Sequence, residues 1–457
     1  MSETPLNSQA APLSSVEGRR LLVIGSGPGG YRAAAYAAAH GLQVTVFEEG
    51  PLGGTCLNVG CIPTKTLARS AEAASEMRHA ARLGLKSVEP EFSLSEIVAR
   101  KDGIVGQLRQ GIQALLSASQ VTLVNAKAVF VDDHTVEAGG ERYTGDYVLI
   151  ATGSANKSLV LEELDETLLL TSDTLLSLTD FPERLVVVGA GVIGMEFASI
   201  FSQLGAKVTV IEYLKECIPA LDADIAKRLR KQLEKQGVEF FMQSGVKRIA
   251  GGGVTFDRKG KEQFVEADKV LVAVGRKPVV DGYGLENTRI QYDARGIVVD
   301  DNMETSVKGV YAIGDVNARM MLAHAATMQG LHAVNQMIGL ADEIRLDIMP
   351  AAIFTNPEAA CVGKTEDRLR EEGVAIEVRK KAYRSNGRAL AMGESEGMLK
   401  LVAEAGSGLI LSCHAFGAHS ADIVQEVSAL MCRHTTLQEL HQMVHIHPTL
   451  SEMLQEI

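Results

Sequence analysis

The sequence predicts an α/β protein with two Rossmann-like dinucleotide-binding domains and an α+β C-terminal domain. Three observations lead to this fold class. The chain has 457 residues, which is too long for a single hydrophobic core. Two similar segments, residues 21–48 and 185–212, superpose without a gap. After about residue 348 the pattern changes to short apolar runs and helical segments bounded by glycine and proline, which indicates antiparallel strands with helices.

Each copy of the repeat has the pattern of a dinucleotide-binding βαβ unit. The first reads LLVIGSGPGGYRAAAYAAAHGLQVTVFE and the second LVVVGAGVIGMEFASIFSQLGAKVTVIE. In both, an apolar strand runs into a GxGxxG turn, a helix of small residues follows, and a second apolar strand ends in glutamate. Because each copy has this whole context, we predict two nucleotide sites rather than chance glycine turns.

The three fingerprint glycines have separate physical tasks. The first makes the tight turn, the second lets the backbone approach a pyrophosphate at the helix N-terminus, and the third lets the helix pack closely on the sheet. In the two copies these positions are Gly25, Gly27 and Gly30, and Gly189, Gly191 and Gly194.

The glutamate that ends each copy is expected to accept hydrogen bonds from ribose hydroxyls. These residues are Glu48 and Glu212. Glu212 also predicts NAD rather than NADP, because a carboxylate repels a 2′-phosphate and the residues that follow it offer no arginine pair. An exposed acid at a strand end is the alternative at both positions.

Composition and charge exclude several classes of protein. The formal net charge is −12 and no basic block is present, which argues against nucleic acid as a partner. No apolar run approaches the roughly 20 residues that span a bilayer, so we expect no membrane association. The first 18 residues have no apolar h-region and are expected to form a disordered tail. Four of the six cysteines are scattered singly, unlike a secreted disulfide framework, so we expect a cytoplasmic protein.

Two cysteines, Cys56 and Cys61, lie in the loop GGTCLNVGCIPTK at residues 53–65. A zinc site would need a second nearby Cys/His pair, which this part of the sequence lacks, so we predict no metal. A structural disulfide across so short a loop would contribute little through loop entropy. A redox pair is favoured, because Pro63 suits the first turn of a helix and would leave Cys61 at its N-terminus, where the helix dipole stabilises a thiolate.

The position of this loop indicates a cofactor. It begins five residues after Glu48, so the cysteine pair is tied in sequence to the first nucleotide. Thiols do not exchange hydride with a nicotinamide directly, whereas a flavin accepts electrons from a thiolate and passes hydride onward. We therefore predict FAD at the first βαβ unit and NAD at the second.

With these motifs the chain resembles the class I flavin-linked pyridine nucleotide-disulfide oxidoreductases, from about residue 20 to the C-terminus. The resemblance implies that Cys56 exchanges with substrate and that the Cys61 thiolate contacts the flavin. It implies that Lys65 and Glu196 form a charge pair near the flavin ring and that Asp315, in GVYAIGDV, binds the ribityl or pyrophosphate region. Further cofactor-binding positions that it implies are Gly29, Gly54, Thr55, Ala128, Thr152, Gly153, Val246, Gly275, Gly314 and Ala323.

The C-terminal stretch HIHPTLSE, residues 445–452, is similar to that of the dihydrolipoamide dehydrogenases within this family. The similarity implies that His447 is the general acid/base and that Glu452 fixes its tautomer. It also implies a homodimer in which His447 reaches the cysteine pair of the other subunit. The implied reaction is oxidation of dihydrolipoamide with reduction of NAD⁺. The implied partners are lipoyl domains of 2-oxoacid dehydrogenase or glycine-cleavage complexes.

Alternatives stay open at several of these positions. Thr449 to Glu452 is also a capping-box pattern, in which Glu452 would only satisfy a helix N-terminus. Lys65 and Glu196 could be solvated helix residues. The histidines at 441, 445 and 447 could be metal ligands, although no acid-rich cluster completes a site. The alternative function is an NADH-dependent flavin disulfide reductase that acts on another small disulfide.

The domain organisation follows from the motifs. We predict a disordered tail at residues 1–18, an FAD-binding domain at 19–153 that resumes at 281–347, an NAD-binding domain at 154–280, and a dimerisation domain at 348–457.

Overall fold

The computed structural model describes residues 17–457. Its contacts divide the chain into two compact units. The first contains residues up to 62, 102–155 and 276–346, and the second contains residues 63–101, 156–275 and 347–457. The predicted tail lies outside the described residues except for Glu17 and Gly18. The predicted domain boundaries stay predictions, because the units do not correspond to them one for one.

The α-helices have the following bounds. They are α1 Pro28–Ala39, α2 Gly54–Val59, α3 Cys61–Arg78, α4 Leu94–Ala118, α5 Ser172–Leu175, α6 Val192–Leu204, α7 Ala223–Lys235, α8 Ala323–Ile338, α9 Glu366–Glu371, α10 Gly387–Met392, α11 Ser420–Cys432 and α12 Leu437–Leu440. The sequence of residues 91–120 has apolar residues at helical spacing, which predicts a helix, and α4 confirms it.

The strands are given in three groups in chain order. The first group is β1 Arg20–Ile24, β2 Gln43–Phe47, β3 Thr122–Val124, β4 Val129–Asp132, β5 Thr135–Ala138, β6 Glu141–Thr144, β7 Tyr147–Ile150 and β8 Ser154–Asn156. The second is β9 Glu163–Leu164, β10 Leu169–Leu170, β11 Arg184–Val188, β12 Lys207–Glu212, β13 Glu239–Met242, β14 Ser244–Ala250, β15 Gly253–Arg258, β16 Lys261–Glu266, β17 Lys269–Val272 and β18 Arg276–Pro278. The third is β19 Tyr292–Asp293, β20 Gly296–Ile297, β21 Val310–Ala312, β22 Ala351–Ile353, β23 Ala359–Gly363, β24 Ile376–Ala382, β25 Met398–Glu404 and β26 Ile410–Phe416.

The first unit is built on a five-stranded parallel sheet in the order β21-β7-β1-β2-β3. Its strands are apolar runs rather than alternating ones, as expected for a parallel sheet that is covered on both faces. On one face, Ala33, Ala34 and Ala37 of α1 are fully buried in the core, so the small residues of the repeat let the helix lie close to the sheet. A three-stranded antiparallel sheet, β4-β5-β6, belongs to the same unit.

The second unit contains the second copy of the repeat. Its five-stranded parallel sheet has the order β10-β17-β11-β12-β13. The register is the same in both copies, because Leu21 pairs with Val44 and Leu185 pairs with Val208. The sequence repeat is therefore a structural repeat down to individual residue pairs.

The C-terminal part of the second unit is a five-stranded antiparallel sheet in the order β22-β23-β26-β25-β24. The helix α11 packs on it, and Ile423, Val424 and Val427 of this helix are buried in the core. This confirms the predicted α+β segment, and with the two parallel sheets it confirms the predicted fold class. Among residues 17–457 no helix is both long and apolar enough to span a bilayer.

Candidate functional site

The cysteine loop lies against the first fingerprint turn. The amide of Gly53 donates to the carbonyl oxygen of Ser26 at 3.1 Å. A Cβ atom on Gly54, which has φ +60°, would lie 2.7 Å from the Cα atom of Gly27. Only glycine fits there, because the backbone of the loop touches the backbone of the turn that is predicted to face a pyrophosphate. The predicted link between the cysteine pair and the first nucleotide unit is therefore a direct contact.

A second close approach brings the two cysteine segments together. Cys56 lies within α2, and Cys61 is the first residue of α3, which confirms its predicted place at a helix N-terminus. Between them, a Cβ atom on Gly60 would lie 2.9 Å from the carbonyl oxygen of Thr55 and 3.2 Å from the Cα atom of Cys56. The chain thus turns back tightly between the cysteines, and a side chain at Gly60 would force them apart.

An asparagine between the cysteines, Asn58, holds the loop from inside. Its Nδ2 atom lies 3.0 Å from the carbonyl oxygen of Leu52 and 2.9 Å from that of Gly54. Its Oδ1 atom accepts from Nη2 of Arg109 at 2.6 Å. The sequence gives no signal for this contact, because Arg109 lies 51 positions from Asn58 and belongs to no motif.

Four of the six fingerprint glycines are required by the fold itself. A Cβ atom on Gly25, at φ +99°, would lie 2.4 Å from the carbonyl oxygen of Ala151. A Cβ atom on Gly30 would lie 2.0 Å from the carbonyl oxygen of Gly25. Gly189 and Gly194 repeat the pattern in the second copy, with distances of 2.5 and 2.0 Å to carbonyl oxygens. These positions make the tight turn and the close helix packing that the sequence predicts.

Gly27 and Gly191 need a different explanation. Their φ angles are −63° and −73°, which any residue adopts, and a Cβ atom on either would meet no atom of the described chain within 4 Å. Each stands at the N-terminus of a fingerprint helix, α1 or α6, where backbone N–H groups favour an anion. The open space in front of each helix is therefore a cradle that a side chain would fill, and the residues present fit a pyrophosphate at both places.

A Gly191→Ala variant tests nucleotide binding in front of α6 separately from the stability of the fold. We expect it to unfold at the same temperature as the parent, because the new methyl group meets open space. It should bind NADH about tenfold more weakly, a loss of about 1.4 kcal/mol, because the methyl group occupies the position of the phosphate. Fluorescence titration with NADH and a thermal melt measure both quantities.

The control for this variant is Gly194→Ala, three residues along the same helix. Its methyl group would lie 2.0 Å from the carbonyl oxygen of Gly189, so it should lower the melting temperature. Unchanged NADH affinity in the Gly191→Ala protein would show that the cradle holds no nucleotide.

The two strand-end glutamates are held by backbone groups. Glu48 accepts from the amide and the hydroxyl of Ser26, at 2.9 and 2.7 Å. Glu212 is buried and accepts from the amides of Ala190 and Leu214. A carboxylate can accept roughly four hydrogen bonds, so each keeps capacity for ribose hydroxyls. Neither is the free surface acid of the alternative interpretation.

A tyrosine and a lysine accompany the acids of the first copy. Burial, with smaller contributions from Glu49 and Glu48, raises the pKa of Tyr283 to about 12, so its phenol stays protonated at neutral pH. The Nζ atom of Lys127 lies 4.7 Å from the centre of the Tyr283 ring and 3.9 Å from a carboxylate oxygen of Glu49. This end of the first unit thus combines a hydrogen-bond donor, a cation and two carboxylates.

Asp315 lies on a short 3₁₀ turn at residues 314–317, after β21. Gly314 begins this turn at φ +71°, and its amide donates to Oε1 of Gln329 at 2.8 Å. The carboxylate of Asp315 accepts from the hydroxyl of Ser154, which in turn accepts from Nε of Arg276 at 2.8 Å. The aspartate is therefore oriented by a chain of polar contacts at the edge of the first parallel sheet.

Lys65 and Glu196 form an ion pair within the second unit. Nζ of Lys65 lies 2.9 and 2.8 Å from the two carboxylate oxygens, and Glu196 is buried. The amide of Phe354 donates to Oε1 of Glu196 at 2.9 Å, and Nζ of Lys65 lies 4.8 Å from the centre of the Phe354 ring. Glu196 is therefore not a solvated helix residue, in contrast to the alternative considered above, whereas the Lys65 side chain stays 33% exposed. Sequence could not reveal Phe354, because its main contact is through the backbone.

His447 and Glu452 form a second pair in the same unit. Nδ1 of His447 lies 2.9 Å from Oε2 of Glu452. Because an ionised carboxylate only accepts, Nδ1 carries the proton and the neutral ring keeps its lone pair on Nε2. The amide of Glu452 donates to the hydroxyl of Thr449 at 3.3 Å, which is one half of the predicted capping box. The carboxylate, however, bonds to His447, so Glu452 does more than cap a turn.

The other predicted positions fall at the ends of elements. His445 lies 2.9 Å from a carboxylate oxygen of Glu426, and within residues 17–457 no group of three or more His, Cys, Asp or Glu side chains is arranged to hold a metal ion. The remaining candidates are Gly29 in α1, Thr55 in α2, Ala128 before β4, Thr152 and Gly153 after β7, Val246 in β14, Gly275 after β17 and Ala323 at the start of α8. Their cofactor-binding roles stay predictions.

Comparison with known proteins agrees with this geometry. Residues 19–330 match the family described as pyridine nucleotide-disulphide oxidoreductase, and residues 349–457 match its dimerisation domain. The chain is 38% identical over 452 residues to a leghemoglobin reductase of Glycine max, a match that covers 95% of this chain and 86% of the relative. It is 38% identical over 444 residues to a dihydrolipoyl dehydrogenase of Bacillus subtilis, with 95% and 97% covered.

A solved structure shares the fold. The HOCl-induced flavoprotein disulfide reductase RclA from Escherichia coli superposes with a TM-score of 0.84 at 26% identity, covering 96% of this chain and 99% of that one. The two matched domains together cover nearly all of the described residues, and the two relatives match over 86% and 97% of their lengths. The chain therefore belongs to the pyridine nucleotide-disulphide oxidoreductase family.

Proposed function

We propose that this chain is a dihydrolipoamide dehydrogenase, which oxidises protein-bound dihydrolipoamide to lipoamide and reduces NAD⁺. The observation that carries the proposal is the hydrogen bond between Nδ1 of His447 and Glu452, which leaves Nε2 as a base. Such a base would take the proton of a thiol substrate that attacks the cysteine pair. In this chain the loop that carries the pair contacts the first fingerprint turn. The similarity to the Bacillus subtilis enzyme of that name supports the choice of substrate.

His447 begins the reaction by activating the substrate. A thiol of pKa about 8.5 is mostly protonated at neutral pH, so a base must take its proton before it can attack a disulfide. Nε2 of His447 accepts this proton, and Glu452 stabilises the charged ring that results. The substrate thiolate then attacks Cys56 in the oxidised pair, and a mixed disulfide forms as the bond between the two cysteines breaks.

When the bond between the two cysteines breaks, its electron pair stays on the sulfur of Cys61. It leaves as a thiolate, and its position at the N-terminus of α3 favours the negative charge. The second substrate thiol displaces Cys56 and closes oxidised lipoamide. Two electrons have then moved from the substrate to the cysteine pair, and the substrate protons are held by His447 or released.

Two nucleotides complete the proposal. Bound FAD would supply the transfer of these electrons from the thiolate to NAD⁺ as hydride. Gly27, Glu48 and Asp315 would hold FAD, and Gly191 and Glu212 would hold NAD. The carboxylate of Glu212 favours NAD over NADP by repelling a 2′-phosphate.

We infer a homodimer in which His447 acts on the cysteine pair of the second copy. The dimerisation domain carries the pair of His447 and Glu452, and Val444 and Ile446 beside it are 96% and 80% exposed. Apolar side chains of this size, so exposed next to a catalytic base, are suited to burial by a second subunit. Lipoyl domains of 2-oxoacid dehydrogenase or glycine-cleavage complexes are the proposed partners, and the cytoplasm is the proposed location.

Anaerobic titration of the purified yellow protein with dihydrolipoamide tests the function. We expect the visible absorbance of the flavin to change on addition of the dithiol, with a new long-wavelength band. Addition of NAD⁺ should then yield NADH, measured at its own absorbance. Failure of dihydrolipoamide to reduce a protein that NADH reduces normally would exclude this substrate.

The second candidate function is an NADH-dependent reductase of another small disulfide. The likeness to RclA, a flavoprotein disulfide reductase, favours this second candidate. The same titration separates the two candidate functions, because a reductase of another small disulfide would be reduced by NADH and not by dihydrolipoamide.

A further inference from the structure

A buried amide connects the C-terminal segment to another part of the second unit. Asn386 is 2% exposed and precedes α10. Its Oδ1 atom accepts from the amide of Ala389 at 3.0 Å and so caps the helix. Its Nδ2 atom donates to the carbonyl oxygen of Thr449 at 3.0 Å and lies 3.4 Å from Oε1 of Glu452. One side chain therefore caps a helix and contacts the carboxylate that holds His447.

The two oxygens of the Glu452 carboxylate have different partners. Oε2 accepts from Nδ1 of His447, whereas Oε1 faces the amide of Asn386. The exposed fraction of the His447 side chain is 82%, but that of Glu452 is only 14%. Within its own subunit the imidazole thus has little packing to fix its direction, and there its orientation depends on the carboxylate and on the groups that hold that carboxylate.

The turn that carries the pair is also fixed through its backbone. The hydroxyl of Thr449 donates to the carbonyl oxygen of Ile446 at 2.7 Å, and it accepts from the amide of Glu452. These bonds lie within the turn and do not anchor it to the rest of the unit. The bond from Asn386 to the Thr449 carbonyl oxygen supplies an anchor from a segment more than 60 residues away.

The other charged groups nearby have partners of their own. His445 pairs with Glu426 at 2.9 Å, and Lys381 pairs with Glu456 at 3.0 Å. Asn386, by contrast, offers Glu452 a neutral hydrogen-bond donor, so it adds no charge beside the carboxylate.

We propose that Asn386 is a positioning residue for the pair of His447 and Glu452. It holds Glu452 so that the carboxylate keeps the proton on Nδ1 of His447 and leaves Nε2 free to act as the base. The inference rests on the proposed function, in which this base takes a proton from the dithiol substrate. Asn386 itself does not touch the substrate.

Two variants remove the contact and keep the helix cap. In Asn386→Ser the hydroxyl still caps α10 but is too short to reach Thr449 or Glu452. In Asn386→Asp the side chain keeps its size and its cap, but a carboxylate oxygen replaces the donor and repels Glu452. The matched control is Thr365→Ala, which removes the side-chain cap of α9 in the same domain and leaves the His447 pair untouched.

Steady-state kinetics with dihydrolipoamide and NAD⁺ give the first readout. We expect Asn386→Ser to lower kcat about tenfold with little change in KM, a part of the 10²- to 10⁴-fold effect of a general base. Asn386→Asp should move the acid limb of the pH–rate profile to higher pH, because added negative charge favours the protonated ring. Thr365→Ala should lose stability and keep both kinetic properties. Oxidation of NADH by an artificial acceptor should be unchanged in all three proteins.

Histidine NMR gives a readout that needs no substrate. With ¹³C,¹⁵N-labelled histidine, the His447 signals, identified by their loss in His447→Gln, should show the Nδ1–H tautomer in the parent protein. They should show a mixture of tautomers in Asn386→Ser and a higher titration midpoint in Asn386→Asp. Signals and kinetics that match the parent in both variants would overturn the inference.

The two readouts also distinguish the inference from the function that it rests on. If the parent protein does not oxidise dihydrolipoamide but its His447 signals respond to both variants, the proposed function fails and Asn386 still positions the pair. If the parent turns over dihydrolipoamide and Thr365→Ala alters the pH profile as the Asn386 variants do, the effect is general destabilisation and the positioning role is excluded.

Discussion

A Cys56→Ser variant is expected to lose dihydrolipoamide oxidation by about 10³-fold or more, because a hydroxyl group cannot form the disulfide that accepts electrons from the substrate. The same protein should still oxidise NADH with an artificial acceptor, since that reaction does not use the cysteine pair. Stopped-flow or steady-state assays with each substrate measure the two activities. This is the largest effect on activity that we predict for a single substitution.

The two cysteines should also differ from each other. The remaining Cys61 in Cys56→Ser lies at the start of α3 and should still give the long-wavelength thiolate–flavin absorbance, whereas Cys61→Ser should lack it. Cys432→Ser is the control, because this partly buried cysteine lies outside the predicted site and should leave both activities unchanged. Full dithiol activity in Cys56→Ser would mean that the disulfide mechanism is wrong.

The features that could be predicted from the sequence are those with a local pattern. The βαβ repeat was visible because its glycines, small residues and glutamates recur at fixed spacing, and the structure reproduces even the strand register. The helix that begins at Cys61 could be predicted from Pro63 two residues later. In each case the physical cause acts over a few residues, so the chain carries its signature in a short stretch.

The contacts that support the site could not be predicted in this way. Arg109 holds Asn58 across 51 positions, and Asn386 approaches Glu452 across 66. Phe354 contacts Glu196 through a backbone amide, which leaves no trace in the type of side chain. Such contacts depend on which elements the tertiary fold places side by side, and neither residue type nor spacing records that.

A buried charge cluster in the second unit is the clearest example of a feature without a sequence signal. Lys400 on β25 is 2% exposed, and its Nζ atom lies 2.9 Å from Asp222, 3.2 Å from Asp224 and 2.8 Å from Glu366. Burial alone would lower the pKa of Lys400, but hydrogen bonds to Glu366 and Asp222 raise it above its ordinary value. The lysine is therefore charged, and the three carboxylates compensate its loss of hydration.

The cluster is close to electrically neutral. Lys380 pairs with Asp224 at 2.6 Å and Arg370 pairs with Glu366 at 2.8 Å, so three cations meet three carboxylates. His414, on the neighbouring strand β26, adds no charge at neutral pH. Burial lowers its pKa, and its Nδ1 atom accepts from the amide of Asp222 at 3.1 Å, which requires an unprotonated nitrogen.

Removal of the central cation should therefore be costly. We expect Lys400→Met to lose about 3 kcal/mol of unfolding free energy, because it leaves three carboxylates without their shared partner. This lies at the lower end of the range for breaking a buried pair, since Asp224 and Glu366 are partly exposed. In a thermal melt of the FAD-loaded protein the apparent transition should fall by roughly 5 °C or more.

Lys380→Met is the matched control, because it removes a half-exposed lysine from the edge of the same cluster. Surface ion pairs contribute about 0–1 kcal/mol, so its melting temperature should stay close to that of the parent. The comparison decides between two views of the cluster. If Lys400→Met melts with the parent and Lys380→Met does not, the stability of this region comes from the exposed rim. If only Lys400→Met is destabilised, the buried lysine joins the helix that begins after Asp222 to the antiparallel sheet that carries Lys400 and His414. Loss of Lys400 should then destabilise the helix and the sheet together.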